Sequence, residues 1–329
     1  MNLSYLSLYH SGELERRAQR LGKRLASCDI CPRACGVNRL EGQPGGFCHS
    51  GRLPIVASFC DHHGEEPALS GRCGSGTIFF GNCNLSCLFC QNHQISQDWE
   101  HQEQNRISCE RLAEYMLTLQ EMSCHNINLV SPSHFVPQIV RAITLAVPLG
   151  LRLPLVYNSN GYDSMETLKE LDGIIDIYLP DLKYADEKTA MRLSQSKGDY
   201  VATARSAIKE MRRQVGRLEL DSEGVAIKGL IVRHLILPQN LAGTGESLKW
   251  LAEEVSRNVT LSLMSQYYPR HRALSMPQLL RTITREEYAA ALKAMREARL
   301  EEGWAQELDA AGHYLPDFAR EGHPFALKD

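Results

Sequence analysis

The chain has 329 residues, a formal net charge of −3 at pH 7 and 43% hydrophobic residues. This length suffices for one large α/β domain with an accessory segment, and the small net charge gives no reason to expect a nucleic acid or an anionic membrane as partner. The opening residues lack a basic region, and no apolar run is long enough to cross a bilayer, so we expect a cytoplasmic protein whose 11 cysteines are metal ligands before they are disulfides.

The N-terminal region is predicted to combine an amphipathic helix with a four-cysteine metal site. Residues 13–25 repeat leucine and alanine at helical spacing. Four cysteines follow, separated by proline and glycine: Cys28, Cys31, Cys35 and Cys48. Four thiolates can complete a [4Fe–4S] cluster with no open iron, or hold a structural zinc ion. A second [4Fe–4S] cluster that relays electrons or positions substrate is the first expectation, zinc the second, and unmetallated thiols the third.

A strand is predicted at 53–60, and a polar loop follows it. Cys60, His62, His63 and Cys73 lie in or beside this loop and could bind a metal, but their spacing matches no familiar site. We therefore expect a solvated or hydrogen-bonded loop. Roles for Cys60, Cys73, Cys109 and Cys124 are left open.

Three further cysteines follow the apolar run 77–80. Cys83, Cys87 and Cys90 are spaced so that one loop can wrap three thiolates around three corners of a cubane iron–sulfur cluster. The fourth iron is then open to a small molecule. Zinc sites more often use paired Cys-x2-Cys arms with a fourth ligand, so zinc and buried apolar thiols are the weaker alternatives.

Beyond this loop, predicted strands alternate with predicted helices. The strands fall at 127–130, 155–157, 174–179, 230–237 and 260–264, with a short one at 304–308. Ser108 is predicted to cap one helix, and Thr284 with Glu287 forms a capping box that opens another. With 77–80 the pattern gives six parallel strands and a short seventh. It predicts an α/β fold, a partial open (β/α)6 barrel of parallel strands with an N-terminal Cys-rich accessory module.

Three domains are predicted on this pattern. Residues 1–66 form the N-terminal helix and four-cysteine module, residues 67–270 the partial barrel, and residues 271–329 a C-terminal helix and tail that pack on the barrel. The tail contains His313, Tyr314, Pro316, Phe318, His323, Pro324 and Phe325. This aromatic and proline content suggests a segment laid across the open side of the barrel.

The cysteine loop, with Phe89 directly before its last cysteine, resembles the signature of the radical S-adenosylmethionine (SAM) superfamily. The resemblance implies a [4Fe–4S] cluster on Cys83, Cys87 and Cys90, with SAM bound to the open iron and Phe89 beside the adenine. It also implies reductive cleavage of SAM to a 5′-deoxyadenosyl radical, which abstracts hydrogen from a substrate.

Residues at the ends of the predicted strands are similar to those of the pyruvate formate-lyase-activating-enzyme group. The similar segments, spread over about residues 25–310, are 76–92, 157–161, 180–183, 233–238 and 263–268. In such barrels, functional residues gather at the C-terminal strand ends. The resemblance implies SAM or cation contacts from Ser131, Ser133, Asn158, Ser159, Asn160, Asp181, Lys183, Arg233 and Tyr267. Ser131 and Ser133 stand where the group usually has Gly-Gly-Glu, and Tyr267 stands near the position of a SAM-contacting histidine.

The resemblance makes the glycine of a glycyl-radical enzyme the first candidate substrate. It also implies an electron donor such as a flavodoxin or ferredoxin. One alternative is radical SAM modification of a peptide, a small molecule or RNA, because the extra cysteines here are N-terminal and no ferredoxin-like insertion follows the cluster loop. Another is a non-catalytic metal-binding interaction protein, which would have no need of SAM contacts at the strand ends.

Overall fold

The structure, a computed structural model, describes residues 3–41, 45–310, 312, 315–320 and 323–325. Its strands are β1 (Val56–His62), β2 (Ser75–Phe80), β3 (Ile127–Val130), β4 (Leu155–Ser159), β5 (Ile177–Pro180), β6 (Glu219–Leu220), β7 (Ala226–Leu235), β8 (Thr260–Met264) and β9 (Gly303–Ala305). Its α-helices are α1 (Ser4–His10), α2 (Glu13–Lys23), α3 (Pro67–Ser70), α4 (His93–Ser96), α5 (Trp99–Gln102), α6 (Cys109–Glu121), α7 (Val136–Ala146), α8 (Met165–Glu170), α9 (Glu187–Ser194), α10 (Tyr200–Val215), α11 (Thr244–Glu254) and α12 (Arg285–Glu297).

The sheet confirms the predicted partial barrel. Its order is β1-β2-β3-β4-β5-β7-β8-β9, and every pairing from β2 to β9 along this path is parallel. Strands β2, β3, β4, β5, β7 and β8 are the six predicted, and β9 is the short seventh. The strand predicted at 53–60 is β1, which pairs antiparallel with β2 and so extends the sheet. Short β6 pairs antiparallel with β7.

Alternation along the strands decides which side chains face the barrel interior. On β4, Val156 joins a small interior cluster, whereas Leu155 and Tyr157 belong to the larger core under the helices. Ile231 of β7 is in the same interior cluster. Because alternate residues of a strand share a face, Asn158 and Arg233 also point into the barrel.

The interior is closed at one end by the short helix α3. Its Ala68 and Leu69 pack with Val156, Ile177 and Ile231 in the interior cluster. This plug occupies the end of the barrel opposite the C-terminal strand ends, so the interior opens toward the cysteine loop that follows β2. None of the helices in the described ranges is long and apolar enough to cross a membrane.

The predicted helix caps are present. Ser108 Oγ accepts a hydrogen bond from the backbone N–H of Arg111 at 3.2 Å. Thr284 and Glu287 form the reciprocal capping box, with Glu287 N to Thr284 Oγ1 at 3.2 Å and Thr284 N to Glu287 Oε2 at 2.8 Å. Each cap satisfies backbone donors that the first helical turn leaves without partners.

Candidate active site

The three cysteines of the loop after β2 converge on one cavity of about 460 Å3. Each sulfur has a polar neighbour. Asn160 Nδ2 lies 3.4 Å from Cys83 Sγ, Ser194 Oγ lies 3.0 Å from Cys87 Sγ, and Ser96 Oγ lies 3.2 Å from Cys90 Sγ. Hydrogen bonds of this kind around cysteine sulfurs tune and stabilise thiolates that bind a metal cluster.

Burial disfavours ionisation of these thiols in the absence of a cation. It raises the pKa of Cys83 to about 12 and that of Cys90 to about 11, and the neighbouring Cys87 adds to both effects. A bound metal reverses this, because coordination deprotonates a thiol outright. Among the described residues, no three His, Cys, Asp or Glu side chains are grouped to share one metal ion. A cubane cluster needs no such group, since each thiolate binds a different iron.

Charged side chains line the cavity in a continuous series that begins beside the cysteines. Lys183 Nζ lies 2.6 Å from Asp181 Oδ2, and Asp181 Oδ1 accepts a hydrogen bond from Arg233 Nε at 2.9 Å. Arg233 Nη1 then lies 3.8 Å from Glu65 Oε2, and Glu66 is next to Glu65. The cavity therefore has a cysteine end and a carboxylate end, joined by ion pairs.

These contacts shift the pKa values of the carboxyl groups in opposite directions. Burial raises the pKa of Asp181, but Arg233 and Lys183 outweigh it, so the pKa falls below its ordinary value. Burial raises the pKa of Glu65 despite the opposing charge of Arg233, and burial raises that of Glu66 to about 7. Asp181 is thus held as a carboxylate, whereas burial favours the protonated form of the two glutamates.

The cavity brings together most of the residues predicted from the strand ends. Phe89, Ser131, Asn158, Ser159, Asn160, Asp181, Lys183 and Arg233 all line it. Asn158 Oδ1 accepts from Arg233 Nη2 at 2.6 Å, and Ser159 Oγ donates to Asp163 Oδ2 at 2.6 Å. Asn160 also donates to Asn84 Oδ1 at 2.7 Å, which ties the end of β4 to the cysteine loop.

Two predicted residues are not among those that line the cavity. Ser133 is 2% exposed and is buried behind the end of β3. Tyr267 is fully buried, its hydroxyl donates to the backbone oxygen of Leu279 at 2.8 Å, and its ring meets the edge of Phe89. In this structure Tyr267 therefore supports Phe89 from behind, and it does not face the cavity.

The sequence patterns do not predict the carboxylate end of the cavity, formed by Glu65 and Glu66. Glu65 and Glu66 lie in the loop after β1, which was expected to be solvated or hydrogen-bonded, yet the Glu65 side chain is 10% exposed and Glu66 is 8% exposed. The reason is the packing of α3. Insertion of its Ala68 and Leu69 into the barrel draws Glu65 and Glu66, which lie just before the helix, inward. Two adjacent acidic residues just before the proline that opens α3 were the available signal.

The four N-terminal cysteines also converge, on a second and much smaller cavity. Burial raises the pKa of Cys31, and the neighbouring thiols Cys48, Cys28 and Cys35 raise it further. Arg39, only 3% exposed, places Nη1 3.7 Å from Cys28 Sγ and donates to the backbone oxygen of His134 at 2.7 Å. Arg39 also donates from Nε and Nη2 to the backbone oxygen of Gly51, and within the described ranges no carboxylate pairs with it.

The two cysteine groups are joined by direct contacts. Arg33 donates from Nε to the backbone oxygen of Asn84 at 2.9 Å. Asn82 donates from Nδ2 to the backbone oxygen of His49 at 3.2 Å. Because Asn82 and Asn84 flank Cys83, and His49 follows Cys48, the N-terminal module packs on the loop that carries the other three cysteines.

The described part of the C-terminal tail lies at the cavity. Phe325 and Pro316 line it, and Phe325 stacks on His62 with ring centroids 4.0 Å apart. Phe318 meets the edge of Phe79 at 5.2 Å. His313 and Tyr314, also part of the predicted covering segment, lie outside the described residues.

The cysteine loop lies within a stretch that matches a known protein family. A family model described as the radical SAM superfamily matches residues 77–218, less than half of the chain. An uncharacterized protein of Methanocaldococcus jannaschii, MJ0674, is 29% identical over 279 residues, which are 84% of this chain and 76% of that protein.

Two solved structures are similar at a lower level. One is SuiB of Streptococcus suis bound to S-adenosylmethionine, with a TM-score of 0.46, 11% identity, and coverage of 69% of this chain and 48% of that one. The other is the FeFe-hydrogenase maturase HydG from Carboxydothermus hydrogenoformans, with a TM-score of 0.46, 12% identity, and coverage of 74% and 55%. The chain spans about half the length of these two proteins.

Proposed function

We propose that this protein is a radical SAM enzyme that cleaves SAM reductively and uses the resulting radical to abstract hydrogen from a substrate. The superfamily match at 77–218 supports an enzyme and implies a [4Fe–4S] cluster and SAM. The observation that carries the proposal is the convergence of Cys83, Cys87 and Cys90, each with a polar neighbour at its sulfur, on a large cavity lined by charged residues.

The cysteine end of the cavity would hold the cofactors. Cys83, Cys87 and Cys90 would bind three irons of the cluster. When bound there, a reduced cluster with SAM on its open iron supplies the 5′-deoxyadenosyl radical. Lys183, next to the cysteines, would pair with the methionyl carboxylate of SAM, and Asp181 and Asn158 would accept hydrogen bonds from its polar groups. Phe89 would lie against the adenine, held in place by Tyr267.

A SAM-cleavage assay tests this function. With dithionite and SAM, anaerobically reconstituted protein is expected to release 5′-deoxyadenosine and methionine. Cys87→Ala should abolish release because two thiolates cannot hold the cluster with its open iron. Cys109→Ala, which removes a thiol outside both cysteine groups, is the matched control and should retain release. Fully iron-loaded wild-type protein that releases no 5′-deoxyadenosine would contradict the proposal.

We propose a second [4Fe–4S] cluster on Cys28, Cys31, Cys35 and Cys48. Arg39 supports a site of negatively charged thiolates, because it is a buried cation with no carboxylate partner in the described ranges. A single zinc ion would require the four sulfurs within about 4 Å of one another, given Zn–S bonds of about 2.3 Å. A structural zinc ion on the same four cysteines is the alternative.

Metal analysis separates the two alternatives. Two clusters correspond to about eight iron atoms per chain, and replacement of Cys83, Cys87 and Cys90 together by alanine should leave about four. A preparation with about four irons and one zinc would support the structural zinc site instead.

The substrate proposed first is the glycine of a glycyl-radical enzyme, on the resemblance of the strand-end residues to activating enzymes. The cytoplasm would be the setting, with a flavodoxin or ferredoxin as electron donor. Mixing reduced enzyme and SAM with glycyl-radical enzymes of the same organism should give a glycyl doublet in electron paramagnetic resonance spectra, and Cys87 should be required for it. Intact SAM cleavage with no doublet would favour a peptide or small molecule, which suits a cavity partly covered by Phe325 and Pro316.

A further inference from the structure

The carboxylate end of the cavity, formed by Glu65 and Glu66, lies far along the charge series from the cysteines. Between them stand Lys183, Asp181 and Arg233, each in contact with the next. A cofactor bound at the cysteines would therefore lie at the opposite end of this series from Glu65 and Glu66. The inference below rests on the proposed function, because it takes the cysteine end to be the SAM end.

The charges of the described residues that line the cavity do not balance. Among these residues the carboxyl groups belong to Glu65, Glu66 and Asp181, and the permanent cations are Lys183 and Arg233. Burial lowers the pKa of His62, a further described lining residue, to about 4, so it is neutral. When all three carboxyls are ionised, this described part of the wall is one positive charge short.

The deficit is located at the glutamates. Asp181 has both cations within hydrogen-bonding distance, whereas the described cation nearest Glu65 is Arg233 at 3.8 Å, and the Asn128 side chain also contacts Glu65. Glu66 also lines the cavity, its carboxyl group is contacted by the Ser262 side chain, and its buried Oε2 has no hydrogen-bond partner among the described residues. A buried carboxyl with an unpartnered oxygen is costly, and a cation beside the carboxyl or a proton on it relieves that cost.

The wall beside the glutamates is aromatic. His62 lines the cavity next to Glu66 and stacks on Phe325, and Phe79 lies 6.0 Å from Phe325 between ring centroids. Trp304 of β9 also lines the cavity. A carboxylate pair with aromatic faces beside it is suited to an organic cation, because the carboxylates supply charge and the rings attract a cation with an apolar stem.

We propose that Glu65 and Glu66 form the substrate-recognition end of the cavity and bind an alkylammonium group of the substrate. The incoming ammonium supplies a positive charge beside the pair and donates to the carboxyl oxygens that face the cavity. A proton bound to Glu66 then passes to the solvent. Within the described ranges, the charged or titratable groups that face the pair are Arg233, Asp181 and His62, and Arg233 stays paired with Asp181 on the side toward SAM.

Calorimetry on the reconstituted holoenzyme tests the assignment. The enzyme is saturated with SAM and kept unreduced, so that no turnover occurs, and n-butylammonium chloride is titrated at pH 6.5 in buffers of different ionisation enthalpy. Wild-type protein should bind n-butylammonium while SAM stays bound, and should release protons on binding. Neutral n-butanol should bind at least tenfold more weakly. A parallel titration with Nα-acetyl-lysine amide distinguishes a lysine side chain, if it binds more tightly, from a free amine.

Substitutions identify the residues responsible. Glu66→Gln should lower the affinity for n-butylammonium at least tenfold and remove the proton release. Glu65→Gln serves as the second variant if Glu66→Gln does not fold, and Glu114→Gln, an exposed glutamate on α6, is the matched control. Equal affinity in wild type and both cavity variants would overturn the inference, as would displacement of SAM by n-butylammonium. SAM binding without n-butylammonium binding overturns this inference alone, whereas failure of the holoenzyme to bind SAM overturns the proposed function as well.

Discussion

At the scale of single residues, the cavity depends on Arg233. Its side chain is 17% exposed and contacts Asp181, Asn158 and Glu65. A buried guanidinium is tolerated only with such partners, and loss of one partner from a buried pair commonly costs about 3–5 kcal/mol. The same residue therefore stabilises the barrel interior and lies between the cysteine end of the cavity and the glutamate end.

Asp176 gives a residue-scale prediction about pH. It precedes β5, is 6% exposed, and accepts a hydrogen bond from Leu155 N at 2.9 Å. Burial raises its pKa from 3.8 to about 7, so the folded state binds a proton more tightly than the unfolded state. The stabilisation from that proton is complete below about pH 4 and is lost as the pH rises through about 7.

Asp176→Asn should remove this pH dependence. In wild-type protein, ionisation of Asp176 should lower the free energy of unfolding by up to roughly 3 kcal/mol between pH 5 and pH 8. The variant keeps an acceptor for Leu155 N but has no group that ionises at this position. Its free energy of unfolding should therefore decrease less between pH 5 and pH 8, by the same roughly 3 kcal/mol. Urea unfolding at the two pH values measures the difference, with the exposed Glu121→Gln as control. Parallel curves for wild type and Asp176→Asn would contradict the prediction.

At the scale of elements, the edge strand β9 completes the cavity wall with Trp304 and Ala305. It pairs with β8 through Gly303, which has a φ of +122°. A Cβ at this position would overlap the backbone oxygen of Leu261 on β8. Glycine is therefore required both for its backbone conformation and for the close approach of the two strands.

Gly303→Ala should detach β9 and lower the free energy of unfolding by about 3 kcal/mol or more, because a strained backbone and a backbone clash add. Gly216→Ala is the matched control. Gly216 also has a positive φ, +74°, with a ψ of −153°, but a Cβ there meets no atom within 4 Å, so the backbone conformation alone should cost about 1–3 kcal/mol. Chemical denaturation gives the free energy of unfolding of both variants. Equal decreases in that free energy would show that β9 does not approach β8 closely.

At the scale of the whole molecule, segments far apart in sequence enclose the barrel interior. The N-terminal module contacts the cysteine loop through Arg33 and Asn82, and the tail contacts β1, where His323 Nε2 lies 2.9 Å from the backbone oxygen of Asp61. The radical that we propose must be shielded from water during turnover. Removal of the C-terminal tail tests whether it contributes to that shielding.

Deletion of residues 311–329 should leave a folded protein with a more open cavity. Loss of the contacts of Phe318 with Phe79 and of Phe325 with His62 should lower the free energy of unfolding by about 1–3 kcal/mol. SAM binding should weaken severalfold because Phe325 and Pro316 no longer line the cavity. Phe325→Ala should reproduce part of the effect, whereas Leu280→Ala, which truncates an exposed leucine, should not. Unchanged stability and unchanged SAM turnover in the deletion variant would contradict a covering role.

The sequence by itself determined those features of this protein that depend on the spacing of residues close together in the chain. Alternating strand and helix patterns predicted the six parallel strands and the short seventh, and the spacing of Cys83, Cys87 and Cys90 predicted their cluster loop. Most of the polar residues predicted at strand ends do line the cavity, because parallel strands bring their C-terminal ends to one edge. Only the tertiary structure decided that Glu65 and Glu66 are buried at the far end of the cavity and that Tyr267 faces away from it. The physical reason is packing between segments distant in sequence, since the insertion of α3 into the barrel and the wedging of Tyr267 behind Phe89 leave no periodic pattern in the chain.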